Sequence, residues 1–125
     1  MTLPRQRAAV AMSTFLVGGG VLHFLIPAFF DAIVPRQLPG TARFWTIASG
    51  VAELGVAAAV AAPRTRRLGG LAAAALFVAV LPANITMAVD WSDRSPREQA
   101  IAYGRLPLQI PLVLWAMKVR KDAVR

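Results

Sequence analysis

From Ala8 to Phe30, and again from Leu68 to Val89, the chain carries no Asp, Glu, Lys or Arg. Each run exceeds the roughly 20 residues that a helix needs to cross a hydrocarbon core about 30 Å thick. Soluble helices interleave apolar and polar positions, so that one face meets water and the other a core. A chain of 125 residues holding two such runs has too little material to bury both on every side. The expected solvent is therefore lipid. There the backbone must satisfy its own hydrogen bonds, which makes helices the expected elements.

Two further crossings complete the pattern. Phe44 to Ala62 is interrupted only by Glu53. The last uncharged stretch, Leu106 to Met117, is too short by itself, but its helix is expected to start at Pro96. Ser95-Pro96-Arg97-Glu98 supplies a capping hydroxyl, proline at the first helical position and a glutamate three residues after the cap. Pro107 and Pro111 should bend this helix, which membrane helices tolerate when neighbours re-satisfy the freed backbone groups. Pro35, Pro39 and Gly40 break the chain after the first crossing, and Thr41 is a cap for the second. Pro63 closes the second, and the short Arg64-Thr65-Arg66-Arg67 turn forces an antiparallel hairpin. Trp45, Trp91 and Trp115 fall near span ends, where indole prefers the interface. The expected fold is all-α, a four-helix transmembrane bundle forming one membrane domain over residues 1–125, with spans at about 8–30, 44–62, 68–89 and 96–118. A basic start before an apolar run also describes a signal peptide, but the first run outlasts the roughly 7 to 15 residues of such a core. The first span is expected to be retained.

Charge sets the expected orientation. Arg5, Arg7, Arg64, Arg66, Arg67, Lys118, Arg120, Lys121 and Arg125 fall on one side. Arg36, Arg43, Arg94, Arg97 and Arg105 fall on the other, among Asp31, Asp90, Asp93 and Glu98. The positive-inside rule then places both termini in the cytoplasm (N-in/C-in) of a multi-pass protein of the cell inner membrane. The abundance of Arg and Ala points to a GC-rich bacterial genome. The net charge of +8 sits in short clusters between apolar spans rather than along one face, so no nucleic-acid partner is expected. There is no cysteine. Disulfides, thiolate metal sites, iron–sulfur ligation and thiol exchange are excluded, and any redox role needs a bound cofactor or a partner.

Polar groups in hydrocarbon are costly and need partners or a job. The candidates are His23, Glu53, Asn84, Arg105 and Gln109. At about 1.5 Å of rise per residue, His23 lies roughly 22 Å from the inner boundary and about 8 Å from the outer one. Glu53 falls about 14 Å below the outer boundary, Asn84 about 6 Å, and Arg105 and Gln109 about 6 and 12 Å. Four helices measured independently thus bring five polar side chains into the outer half of the bilayer. Arg105 and Gln109 share a helix face, as do Ser49 with Glu53 and Gly19 with His23. One reading is an outward-facing polar pocket, in which Glu53 and His23 pass protons and Arg105 pairs with Glu53 or holds an anionic or carbonyl-bearing ligand. The other is that these groups satisfy one another and fix helix register, at about 0.6 to 2 kcal/mol per interhelical bond. His23 alone cannot make a multi-histidine metal or haem site, so no metal is expected, and no catalytic residue is assigned. Gly18 to Gly20, Ala48 with Ala52, and Gly55 with Ala59 allow close helix approach. Phe29, Phe30, Ile33 and Val34 are expected to form a short hydrophobic lid.

Several segments taken in order resemble the DoxX-like family of small bacterial membrane proteins. They are Gly20-Val21-Leu22-His23-Phe24 with Pro27, then Val34-Pro35 and Leu38-Pro39, then Ser49-Gly50-Val51-Ala52-Glu53. Pro82-Ala83-Asn84-Ile85-Thr86-Met87 and Arg105-Leu106-Pro107-Leu108-Gln109 follow. The resemblance runs from about Gly20 to Trp115 and implies a four-helix membrane bundle. Relatives in that family include subunits of thiosulfate:quinone oxidoreductases and proteins associated with membrane redox complexes. The resemblance therefore implies a membrane redox partner protein and a quinone as ligand, with His23, Glu53, Asn84, Arg105 and Gln109 at the matching motif positions. Two other expectations stand beside it. One is a non-enzymatic assembly factor or structural subunit, alone or in an oligomer. The other is a small transporter, for which the chain offers no internal repeat.

Overall fold

The computed structural model describes residues 3–123, with side chains from Arg7 onward. The Arg5 side chain and Arg125, both counted above for topology, lie outside the described residues. The described chain is helical without strands, in six stretches: α1 (Leu3–Leu25), α2 (Pro27–Asp31), α3 (Ala42–Ala61), α4 (Arg66–Ala79), α5 (Leu81–Asp90) and α6 (Pro96–Asp122). Because α4 and α5 run on as one crossing, four segments are long and apolar enough to span a membrane: Arg7–Leu25, Ala42–Ala61, Arg66–Asp90 and Pro96–Asp122.

The ends of these helices follow from local chemistry. Thr41 Oγ1 accepts the Phe44 N–H at 3.2 Å and caps α3. Ser95 accepts the Glu98 N–H, and its hydroxyl donates back to the Glu98 carboxylate at 3.1 Å. Gly40, at φ 83°, makes the reversal that leads into Thr41. Arg66 does more than mark topology. It is buried, and its guanidinium turns back to donate to the Val60 and Ala61 carbonyls at 2.7 Å each, closing the C-terminal end of α3.

The first crossing ends earlier than the apolar run. Proline lacks an N–H, and its ring collides with the carbonyl four residues back, so Pro27 stops α1 at Leu25. The chain turns at Ile26 and resumes as α2, which carries Phe29 and Phe30 back over the bundle. Ile33 is more deeply packed than a surface lid implies. It is 4% exposed and clusters with Met87 and Ala102, flanked by Phe30 and Trp91.

Packing is inverted relative to a soluble bundle. The centre is built from small residues, Ala9, Ala57, Ala73, Ala74 and Ala116, with Met12, Leu16, Val60, Phe77 and Val119 between them. Large apolar side chains cover the outside, among them Val10, Leu25, Phe44, Val51, Leu68, Val89, Ile110 and Leu114. An apolar surface of that extent in water marks an aggregating protein, whereas facing acyl chains it costs nothing. The helices are apolar enough to contact a lipid bilayer along their length.

Going round the bundle, α1 packs on α3, α3 on α4 and α4 on α6, while α6 closes back onto α1 sparingly. Backbones approach closely at three places. A Cβ on Gly69 would stand 2.7 Å from the Ala59 carbonyl carbon and the Val60 nitrogen, and one on Gly70 would stand 2.7 Å from the Arg120 nitrogen. A Cβ on Gly20 would stand 2.8 Å from the Leu54 side chain and 3.2 Å from Gly50 O. Gly18 and Gly55, by contrast, have nothing within 4 Å, so these two do not bring helices together.

A polar latch ties α2 to α3. Asp31 accepts the Thr46 hydroxyl at 2.6 Å and Arg43 Nε at 2.9 Å. The Thr46 hydroxyl, with Arg43 behind it, holds the Asp31 carboxyl below its ordinary value of 3.8. Thr46→Val removes the buried donor and keeps the shape, and is expected to destabilise the protein by about 1 kcal/mol. A carboxyl with a depressed pKa stabilises fully above its unfolded value and loses that effect as pH falls through its folded one. The difference between Thr46→Val and wild type, read from thermal unfolding in detergent, should therefore be full at neutral pH and shrink below 3.8.

Candidate functional site

A cavity of about 480 Å³ lies inside the bundle, and His23, Glu53, Asn84, Arg105 and Gln109 all line it. They arrive from four elements. α1 supplies His23 and Gly19 one turn before it, α3 supplies Ser49 and Glu53, α5 supplies Asn84, and α6 supplies Arg105 and Gln109. The spacing of four within α1, α3 and α6 puts each pair on one face, and those faces converge. The apolar walls are Phe15, Leu22, Phe30, Leu76, Phe77, Val80, Leu108 and Leu112.

The close approach of α1 to α3 builds the carboxylate end. With no Cβ, Gly19 leaves room for Glu53, whose Oε1 occupies a point 2.7 Å from where that Cβ would stand. Gly50 does the same for His23, whose Cβ would lie 2.8 Å away. His23 Nδ1 faces the Gly19 carbonyl at 2.7 Å and Glu53 Oε2 at 3.1 Å. Both neighbours are acceptors, so Nδ1 carries the proton in this arrangement and donates it to Gly19 O. The His23 ring stacks on Phe30 with centroids 3.8 Å apart, and α2 thereby fixes the plane of the imidazole.

Glu53 and Arg105, considered above as a pair, do not meet. The ionisable neighbour of Glu53 is His23. Arg105 instead points Nη1 at Met87 Sδ, 3.2 Å away, a weak acceptor for a guanidinium. Three buried oxygens in the cavity wall have no hydrogen-bond partner: Glu53 Oε2, Asn84 Oδ1 and Gln109 Oε1. Asn84 is 2% exposed, so this is a deep group rather than a surface one. Buried polar atoms are almost always paired, and each exception asks for an explanation.

Of the five, His23 and Glu53 meet across α1 and α3 at 3.1 Å, whereas among the described residues the Asn84 and Gln109 side-chain oxygens accept no hydrogen bond from the others. Phe30 is expected from the sequence only as part of a lid; its stacking on His23 and the Asp31–Thr46 latch are not legible there. Asp31 entered there as a topology charge, and only the turn at Pro27 reveals that it faces α3.

No curated protein and no solved structure matches the chain. A family model does, over residues 12–120, a stretch that contains every polar residue of the cavity. The chain belongs to the family described as Domain of unknown function (DUF8561).

Proposed function

We propose that this protein is a membrane subunit of a redox-linked system that binds the head of a quinone or quinol in the polar cavity. The observation that carries the reading is one cavity lined both by three buried oxygens that accept no hydrogen bond and by a guanidinium that donates only to a thioether among the described residues. A ligand matching that set must donate to oxygens and accept from Arg105. A dihydroxybenzene ring does both: its hydroxyls donate to Glu53 Oε2 and to an amide oxygen, and its oxygens accept from Arg105. The oxidised ring, which only accepts, pairs with Arg105 and with Gln109 or Asn84 once an amide turns its NH₂ inward. A bare phosphate offers no donor to the carboxylate and is repelled by it, which disfavours a simple phosphate head. His23 and Glu53, 3.1 Å apart, are placed to take and pass the hydroxyl protons. With no thiol in the chain, the electrons come from or pass to a bound cofactor or a partner protein. The resemblance to DoxX-like proteins supports the same reading, and the inner membrane of a bacterium is its proposed location.

Purified protein in lipid nanodiscs, titrated with a decyl-substituted benzoquinone and its quinol, is expected to bind both and to prefer the quinol. His23→Ala and Glu53→Gln should each weaken the quinol by about tenfold or more, as for loss of a hydrogen bond to a charged group. Unchanged affinity in both variants rejects these roles. Co-purification of a protein partner without any quinone binding would favour the assembly-factor or structural-subunit reading instead.

A further inference from the structure

The residues that line the cavity are unevenly exposed. Of the residues that line it, three are also exposed on the outside of the bundle: Phe15 and Leu22 on α1 and Leu108 on α6, at 43%, 44% and 56%. The lining residues of α3, α4 and α5 are buried or half-buried. The gap therefore lies between α1 and α6, the pair that packs most sparingly around the ring.

What joins α1 to α6 sits below the cavity. Trp115 Nε1 donates to Ala8 O at 3.1 Å, and the Trp115 ring packs against Phe15. Ala9, Met12 and Leu16 of α1 meet Ala116 and Val119 of α6 in the same half of the bundle. In the other half the second core cluster holds Ile33, Met87 and Ala102 but nothing from α1. Pro107 and Pro111 fall on the stretch of α6 that borders the gap, and each removes a hydrogen bond that would have stiffened it. The outer surfaces of both helices are apolar, with Val21 and Leu25 on α1 and Ile110 and Leu114 on α6 all exposed. What faces the gap is thus acyl chain rather than water.

We propose that the cavity opens sideways into the bilayer between α1 and α6, and that its occupant is a membrane-dissolved amphiphile. Its polar head rests against Glu53, Asn84, Arg105 and Gln109, and its hydrocarbon chain leaves between Leu22 and Leu108. This rests on the quinone reading and narrows it to chain-bearing quinones. Such a ligand never needs to enter water, because its chain stays in lipid while the head exchanges lipid headgroups for the polar wall. Phe30, stacked on His23, belongs to the same wall.

The absence of native cysteine makes a clean test. A benzoquinone with a diazirine midway along its decyl chain is photolysed on the full-length protein in nanodiscs, and the adducts are mapped by mass spectrometry. Labelling on α1 and α6 around Leu22, Leu108 and Leu112, displaced by excess chain-free quinone, is the expected result. Displaceable labelling confined to α3, α5 or the 26–41 connection overturns the sideways exit and leaves head binding intact. No displaceable labelling anywhere overturns the quinone reading, and the proposal with it. Independently, the double variant Leu22→Cys/Leu108→Cys is bridged with a flexible bis-thiosulfonate. Both positions are exposed, so the fold tolerates the change. Association of the decyl-quinone should slow by about tenfold on bridging and recover on reduction. An unaltered rate on bridging overturns the portal.

Discussion

Gly70→Val is expected to cost about 3 kcal/mol or more and to leave much of the protein unfolded when extracted in mild detergent. The added Cβ alone would stand 2.7 Å from the Arg120 nitrogen and 2.9 Å from its Cα. Those are backbone atoms of α6 and cannot rotate aside as a side chain can. The helices must separate, and in lipid their association rests on close van der Waals contact rather than on hydrophobic drive. Gly69→Val strikes the other neighbour, the Ala59–Val60 peptide of α3, at the same distance. Consecutive glycines thus seat α4 against two helices at once. Gly55→Ala, with nothing within 4 Å, serves as the control and should leave stability unchanged or slightly raised. Denaturation by graded SDS, followed by circular dichroism, measures all three. Equal stabilities for Gly70→Val and Gly55→Ala would mean that the α4–α6 approach is not what holds the bundle.

That contrast marks how far the chain can be read without its structure. The crossings were legible because charge-free length is a property of composition, and the caps at Thr41 and Ser95 because capping is local. That the five polar side chains come together was legible too, since helical rise puts them at similar positions along their helices, and all five line one cavity. Rotation about each helix axis was not. In water, amphipathicity points a helix toward its core. Here both faces are apolar, and Gly18 and Gly70 look alike although one faces open space and the other a backbone. The same blindness left two roles open for Arg105, pairing with Glu53 or holding a ligand, whereas the small residues Gly19 and Gly50 let α1 and α3 close up and give Glu53 to His23. Pro27 was readable in principle. Its place inside an uncharged run hid a break that redirects Phe30 and Asp31 onto the bundle.

Arg105→Met should separate binding from stability by moving them in opposite directions. If the polar residues exist to hold helices together, removing one partner leaves a buried group unpaired and destabilises the bundle. Arg105, however, donates only to a thioether among the described residues, and the Asn84 and Gln109 oxygens on the same cavity wall accept no hydrogen bond. A guanidinium in the interior of a membrane helix costs about 2.5 to 3.5 kcal/mol on insertion scales. Replacing it with an unbranched apolar chain beside Met87 removes that cost and sacrifices little packing. Thermal stability without ligand is therefore expected to rise or stay level. Quinol affinity is expected to fall by about ten- to a hundredfold, the range for a hydrogen bond to a charged donor. Such opposed signs are the mark of a site whose groups are held ready for a ligand at the expense of the empty fold. Melting of both proteins with and without decyl-quinol measures the two effects in one experiment, because ligand stabilisation scales with occupancy. A variant that melts lower than wild type in the absence of quinol would return Arg105 to a structural role and remove the guanidinium from the proposed binding set.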